Sequence, residues 1–366
     1  MKFDLNKPLS RLQGILVSVL ACVLAFLIAL ITVSSRKVAL ADALRLSATN
    51  ISDVQVDGEY IYYLEAGSLH CVTVDGRFKW NTGVDRSSRF RVSSSGIAVW
   101  RSSRVQILDK SNGVVVGNIS ASGDILSAVV GDVYTAAIVG PEHNSTVILT
   151  DKYGNTVDTV TGFDGVTVLD CGFFQGRELF WIMSLNSSGS TPSCKISIYK
   201  PGKREMGSIM DMNQVIYNVV FRASNICAVG TQSLDFYNYY GKKNDESIQV
   251  YGWHLEAVDK TSDDPLMLFV PDDQLGEEMT IKDVRCVKGE DISYLHFPVP
   301  CTQLMALENT VYGFAGNYLG VGSFGSSVTN IYNLPVNVTS VLGITSKRYA
   351  VVTGGSSIYV IKLPKE

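Results

Sequence analysis

"SLHCVTVDGRFKW", Ser68 to Trp80, alternates its side chains, turns at Asp75-Gly76, and resumes in a second short run that ends in tryptophan. Alternation sends successive side chains to opposite faces of a strand, and Asp-Gly is a tight-turn signal. The stretch therefore reads as a β-hairpin. Whether it is also a cofactor-binding fingerprint decides whether the chain does chemistry.

Outward from this hairpin, beyond Ala43, no sustained 3.6-residue periodicity appears. Short runs of β-branched and aromatic residues are separated by Gly, Asp, Asn and Ser, which reads as all-β. The runs recur as a unit: an apolar strand, a small turn, a second apolar strand, then a longer hairpin. Units starting at Ile51, Arg89, Ile125, Val166, Ile216, Ile281 and Val338 make seven. Four strands per unit predict a seven-bladed β-propeller of four-stranded antiparallel blades over residues 43–366, with a stacked pair of β-sandwiches as the alternative. The last unit offers one further strand, Ser356 to Leu363, and lacks a fourth. "ALRLSAT", Ala43 to Thr49, is the expected donor, closing the ring and covering its open edge.

The Asp75-Gly76-x-x-x-Trp80 ending resembles the repeat of quinoprotein-like propellers, in which a tryptophan four residues after the turn glycine packs between blades. The corresponding positions of the next units hold Gly117, Asp158 and Met206, so the tryptophan is not repeated. That family's quinone-dependent dehydrogenases imply two adjacent cysteines under the cofactor; this chain has no Cys-Cys pair, and no cofactor is expected. The Trp-Asp repeat is absent as well, since Trp80, Trp100, Trp181 and Trp253 precede Asn, Arg, Ile and His. In architecture the chain resembles a group of bacterial single-pass membrane proteins with an exported quinoprotein-like or WD-like propeller, a resemblance that implies no activity.

"ILVSVLACVLAFLIALITV", Ile15 to Val33, runs without a charge. That length suits a helix crossing ~30 Å of hydrocarbon. The expected layout is a cytoplasmic tail over 1–14, a signal-anchor helix over 15–35, a linker over 36–42 and the propeller beyond, outside the cytoplasm. A cleaved signal peptide ending at Ala39-Leu40-Ala41 is the alternative. Lys2, Lys7 and Arg11 on one flank balance Arg36, Lys37 and Arg45 on the other, so orientation rests on the short tail before the span. A net charge of −4 argues against a nucleic-acid partner.

Six cysteines follow the span. Cys71 and Cys227 lie in apolar strand patterns and read as buried thiols, whereas Cys286 with Cys301, or Cys171 with Cys194, are candidate disulfides. No Cys-x-x-Cys or Cys/His cluster is spaced to hold zinc. "GVGSFG", Gly320 to Gly325, satisfies G-x-G-x-x-G, but strand-like alternation follows it where a nucleotide site needs a helix. His70, His143, His254 and His296 fall in four different units, without the spacing of a triad.

Two surfaces stand out as places for a partner. Arg86, Arg89, Arg91, Arg101 and Arg104 form a basic patch for an acidic partner or lipid headgroups, or else a solvated blade edge. The fifth unit is unusually long, and its excess concentrates Tyr237, Tyr239, Tyr240, Tyr251 and Trp253. The acids Asp263, Asp264, Asp272, Asp273, Glu277 and Glu278 border them. Amphipathic rings in an exposed insertion suit protein or glycan binding, while rings alternating in a hairpin would instead be core. The expected function is a membrane-tethered binding or scaffolding module with no catalytic residues. The alternative is a hydrolase or lyase whose site assembles from several blades in the central funnel.

Overall fold

A computed structural model describes residues 38–40, 42–48, 54–174, 176, 178–188, 192–211, 213–222, 225–259, 261–274 and 280–365. The chain divides into two units, Met1–Ala39 and Leu40–Glu366. Within the first, the described residues Val38–Ala39 are extended. The span expected over 15–35 lies outside the described residues, among which no helix is long and apolar enough to cross a membrane.

The second unit is an all-β propeller, and among the described residues its sheets number eight. Blade 1 runs from Val54–Asp57 to Phe78–Gly83, blade 2 from Arg89–Val92 to Val115–Ser120, and blade 3 from Ile125–Val130 to Thr156–Val160. Blade 4 runs from Thr167–Phe173 to Glu205–Met210, blade 5 from Ile216–Phe221 to Lys243–Gln249, and blade 6 from Trp253–Val258 to Asp291–Cys301. Blade 7 contains Gln303–Leu307, Thr310–Ser323 and Thr329–Val338. Blade 8 joins Ser340–Ile344, Tyr349–Gly354 and Ser357–Lys362 to Leu44–Arg45.

The expected count of seven is corrected to eight, and the reason is local. Ile281, the expected start of a unit, begins the third strand of blade 6; the two strands before it, Trp253–Val258 and Met267–Pro271, account for the excess length of the fifth unit. Blade 7 was hidden because Thr310–Ser323 carries glycines that read as a flexible hairpin. Those glycines face neighbouring side chains: a Cβ on Gly320 would stand 2.5 Å from the Phe297 ring, and one on Gly322 3.1 Å from Leu295. They admit the outer strand of blade 6, and the strand context expected for "GVGSFG" holds.

Closure follows the expected route. Leu44 pairs with Val360 and Arg45 with Tyr359 in antiparallel register, and Leu46 N–H continues the ladder to Ile358 O at 2.9 Å. The core lies between blades. Eight apolar clusters among the described residues each join two neighbours, the last uniting Val351, Ile358 and Val360 of blade 8 with Ile61, Tyr63 and Val72 of blade 1. A second strand packed on both faces must be apolar throughout, and Tyr60–Glu65, Ile97–Arg101 and Tyr134–Val139 are buried almost continuously. Fourth strands face water on one side and alternate instead.

Successive blades lock through the turn between third and fourth strands. Gly113 in that turn of blade 2 sits on the Trp80 ring of blade 1, and Trp80 Nε1 donates to Lys110 O at 3.2 Å. Trp80 thus packs between blades, 7% exposed. One blade on, backbone replaces the ring: Gly117 abuts the main chain of Lys152 and Tyr153, while Gly154 abuts Asn118. Nearer the axis, Gln55 Nε2 donates to Phe90 O at 2.7 Å and its Oε1 accepts from Val92 N at 2.9 Å, stitching the innermost strands of blades 1 and 2. Gln303 accepts from Val341 N at 2.5 Å in the same way between blades 7 and 8.

All six described cysteines are buried free thiols, which corrects the disulfide expected between Cys286 and Cys301. Cys286 pairs with Ser293 and Cys301 with Ile281 across the same two strands. Five positions along a strand separate the two cysteines by ~17 Å, against the ~5.5 to 6 Å Cα spacing a disulfide requires. Cys171 pairs with Ile182 and Cys194 with Leu185, and they are likewise unbridged.

Candidate functional site: a basic cleft between blades 1 and 2

The five arginines of the basic patch separate into two places. Arg89 and Arg91 share a face of the innermost strand of blade 2, as alternation requires. Arg91 reaches past blade 3 to Asp170 on the innermost strand of blade 4, with contacts of 2.7 and 3.2 Å. Two innermost strands one blade apart meet only on the channel side of the strand between them, so this fork bridges blades 2 and 4 along the channel wall. Burial acts against the charge on Arg91, but the Asp170 hydrogen bond and charge outweigh it and hold the guanidinium further above its ordinary value. Arg91 belongs to the ring's internal bracing, while Arg89 stays exposed and pairs in register with Trp100.

Arg101 and Arg104 form the other group. They are register partners across the Ser102-Ser103 hairpin, so both side chains leave the same face of blade 2, the one turned toward blade 1. They wall a cleft of about 690 Å³ with Gln106, Asn118 and Ser120, opposite Gly67, Val84 and Asp85 of blade 1 and its connector. Arg86 flanks the opening, its Cγ 3.4 Å from where a Cβ on Gly67 would lie. Asp85 approaches Arg101 at 3.7 Å, with both groups largely in water, so the pair is weak. Among the described residues, Arg86 and Arg104 have no ion-pair partner. The cleft thus presents net positive charge beside serine, glutamine and asparagine side chains that donate and accept hydrogen bonds. Reading the sequence missed Asp85, Gln106 and Asn118. Gln106, two residues after Arg104 on the same strand, carried the one available signal, while Asn118 reaches the same face only as its register partner.

The aromatic cluster is not one surface. Tyr237 is 5% exposed in the core between blades 4 and 5. Tyr239 packs edge-on against Phe174 at 5.1 Å and donates to Arg222 O at 2.8 Å. Tyr240 stands out 61% exposed from a turn of blade 5, and Tyr251, 81% exposed, tips the connector into blade 6, whose first strand opens with Trp253. Of the acids, Asp264 pairs with Arg222 at 3.0 Å, and Glu277 and Glu278 lie outside the described residues.

The histidines also separate, although His254 and His296 share blade 6, on its innermost and outermost strands, which corrects their assignment to different units. His254 stacks on Tyr217 at 4.9 Å, and burial raises the Glu256 carboxyl beside it. His296 Nδ1 lies 2.8 Å from Asp283, a hydrogen bond that lowers that carboxyl. Among the described residues no three His, Cys, Asp or Glu side chains converge as a metal site requires.

No family model matches the chain, and no curated protein matches it. Solved structures do. The chain is similar to Saccharomyces cerevisiae Sqt1, with TM-score 0.58 and 9% identity, over 90% of this chain and 100% of that one. It is similar also to the WD40 domain of SCAP from fission yeast, with TM-score 0.55 and 8% identity, over 88% and 98%. At such identities the likeness is one of fold. These neighbours support the all-β fold of the ring, and the quinoprotein-like resemblance of the Ser68 to Trp80 stretch finds no support in them.

Proposed function

We propose that the chain is a membrane-tethered, extracytoplasmic propeller that binds an acidic segment of a partner protein in the cleft between blades 1 and 2. The observation that carries this reading is the pair Arg101 and Arg104, placed by register on one wall of a cleft whose described acid, Asp85, is held only weakly. A concavity of this size fits several side chains of an extended strand, and two guanidiniums on one wall favour carboxylates. The WD40-like architecture supports a scaffolding role, and the apolar run from Ile15 to Val33 supports the tether.

The test for the cleft is fluorescence anisotropy with a labelled octaglutamate peptide. Binding is expected to weaken steeply as salt rises, and Arg101→Ala with Arg104→Ala should weaken it at least tenfold without changing the melting temperature. Unchanged affinity in the double variant refutes the cleft. A protease added to intact cells tests the tether separately, since a propeller facing outward is accessible to it and one facing inward is protected.

A further inference from the structure

Arg285, in the third strand of blade 6, is 9% exposed. Burying a guanidinium is costly unless an anion and hydrogen bonds replace its water. Its one hydrogen bond to the described protein runs from Nη1 to Gln249 O of blade 5, at 2.6 Å. Nε is enclosed without a partner, and among the described residues no carboxylate lies within ion-pair distance. Asp283, two residues earlier on the same strand, is already held by His296 and by Gln274 Nε2 at 3.1 Å.

Register shows what surrounds this unpaired charge. Leu255, Phe269, Arg285 and Tyr294 are successive cross-strand partners, so all four side chains leave the same face of the sheet, and Trp253, two residues before Leu255, joins them. The Trp253 and Tyr294 rings approach to 6.1 Å at an interplanar angle of 58° on that face. Tyr294 is 60% exposed, and Tyr251, in the turn two residues before Trp253, is 81% exposed. A cation without a counter-charge therefore sits next to rings held partly in water. Aromatic faces of this kind bury apolar neighbours of a bound group while the fork of Arg285 matches a carboxylate.

We infer that Arg285, Trp253, Tyr294 and Tyr251 form a second binding site, between blades 5 and 6, for a peptide carboxylate flanked by aromatic residues. Charge complementarity selects the acid, and the exposed rings select its apolar neighbours. This inference rests on the reading of the ring as a protein-binding module but not on the cleft between blades 1 and 2.

The probe is a fluorescein-labelled Gly-Phe-Glu-Phe-Gly peptide, amidated at its C-terminus, compared with its glutamine counterpart on the full chain in detergent. Wild type is expected to bind the glutamate peptide at least tenfold more tightly, and Arg285→Met to bind both equally while melting no lower than wild type, because an uncompensated charge has left the interior. Should Arg285→Met fail to fold, Arg285→Lys, which keeps the charge and loses the fork, is expected to lose the discrimination. Tyr251→Ala with Tyr294→Ala, changed at exposed positions, should weaken the glutamate peptide at least threefold. The Arg101→Ala, Arg104→Ala variant separates the two sites, and here it should bind as wild type does. Equal binding of the two peptides by wild type, retained discrimination in the Arg285 variant, or loss of binding in the Arg101, Arg104 variant each overturns the inference.

Discussion

Gly154 and Gly162 both hold a left-handed backbone, with φ of 96° and 94°, yet they differ in what surrounds them. A Cβ on Gly154 would fall 1.9 Å from Asn118 O and 2.6 Å from its carbonyl carbon, whereas nothing lies within 4 Å of one on Gly162. Alanine at either position incurs the left-handed penalty, about 1 to 2 kcal/mol. At Gly154 it must also push main chain apart where blade 3 docks on blade 2, adding about 1 to 3 kcal/mol. No rotamer change relieves a clash with a carbonyl. With an unfolding entropy of ~2.1 cal/mol/K per residue, about 330 residues of ring lose ~1.5 °C for each kcal/mol. Gly162→Ala should therefore lower the melting temperature by about 2 °C and Gly154→Ala by about 3 to 7 °C, read by circular dichroism in the same buffer. Equal shifts would refute the argument, since they would mean the turn slides off Asn118 at no cost and the blades are not locked there.

Burial raises every described cysteine thiol, Cys71 and Cys194 to about 11 and Cys171, Cys227, Cys286 and Cys301 to about 12, from an ordinary value near 9. A raised value means that the stabilisation is complete below pH 9 and is lost as pH climbs through the folded values. The urea midpoint should fall between pH 9 and 12, and native protein at pH 8 should leave these six thiols unlabelled by a disulfide reagent that modifies them all in denaturant. Removing residues 1–48 leaves Ser357–Lys362 as a bare edge and uncovers Ile358 and Val360, so the truncated chain should form oligomers in size-exclusion chromatography, whereas a monomer of unchanged melting temperature would contradict the closing role of Leu44–Arg45.

What was legible in the sequence follows burial. Strands buried on both faces announce themselves as unbroken apolar runs, and the closing segment near Leu44 was readable because the last unit was short by one strand. Met267–Pro271 was missed because its five residues stand between two acidic clusters, so an inner strand looked like part of a loop. Thr310–Ser323 was missed because its glycines serve contact with Phe297 and Leu295, a demand made by another blade.

The candidate sites show the same divide. Basic character at Arg101 and Arg104 was plain, but the face they share depends on pairing register. The partner of Arg91 lies on a strand two blades away, so nothing near Arg91 marks it for the channel. Arg285 carried a local signal left unread, an arginine set inside the apolar stretch Val284 to Val287.

Blade 8 is assembled from segments more than three hundred residues apart, Leu44 beside Val360. On the ribosome, Leu44–Arg45 emerges early and has nothing to pair with until Ser357–Lys362 has been synthesised. Seven blades can stack in order as they appear, but through that interval the flank of blade 1 formed by Ile61, Tyr63 and Val72 has no neighbour. At ~5 to 20 residues per second the wait lasts roughly 15 to 60 s, long compared with the folding of a single blade. The nascent protein therefore carries an adhesive face for most of its synthesis, and its yield should depend on whatever shields that face until the ring shuts.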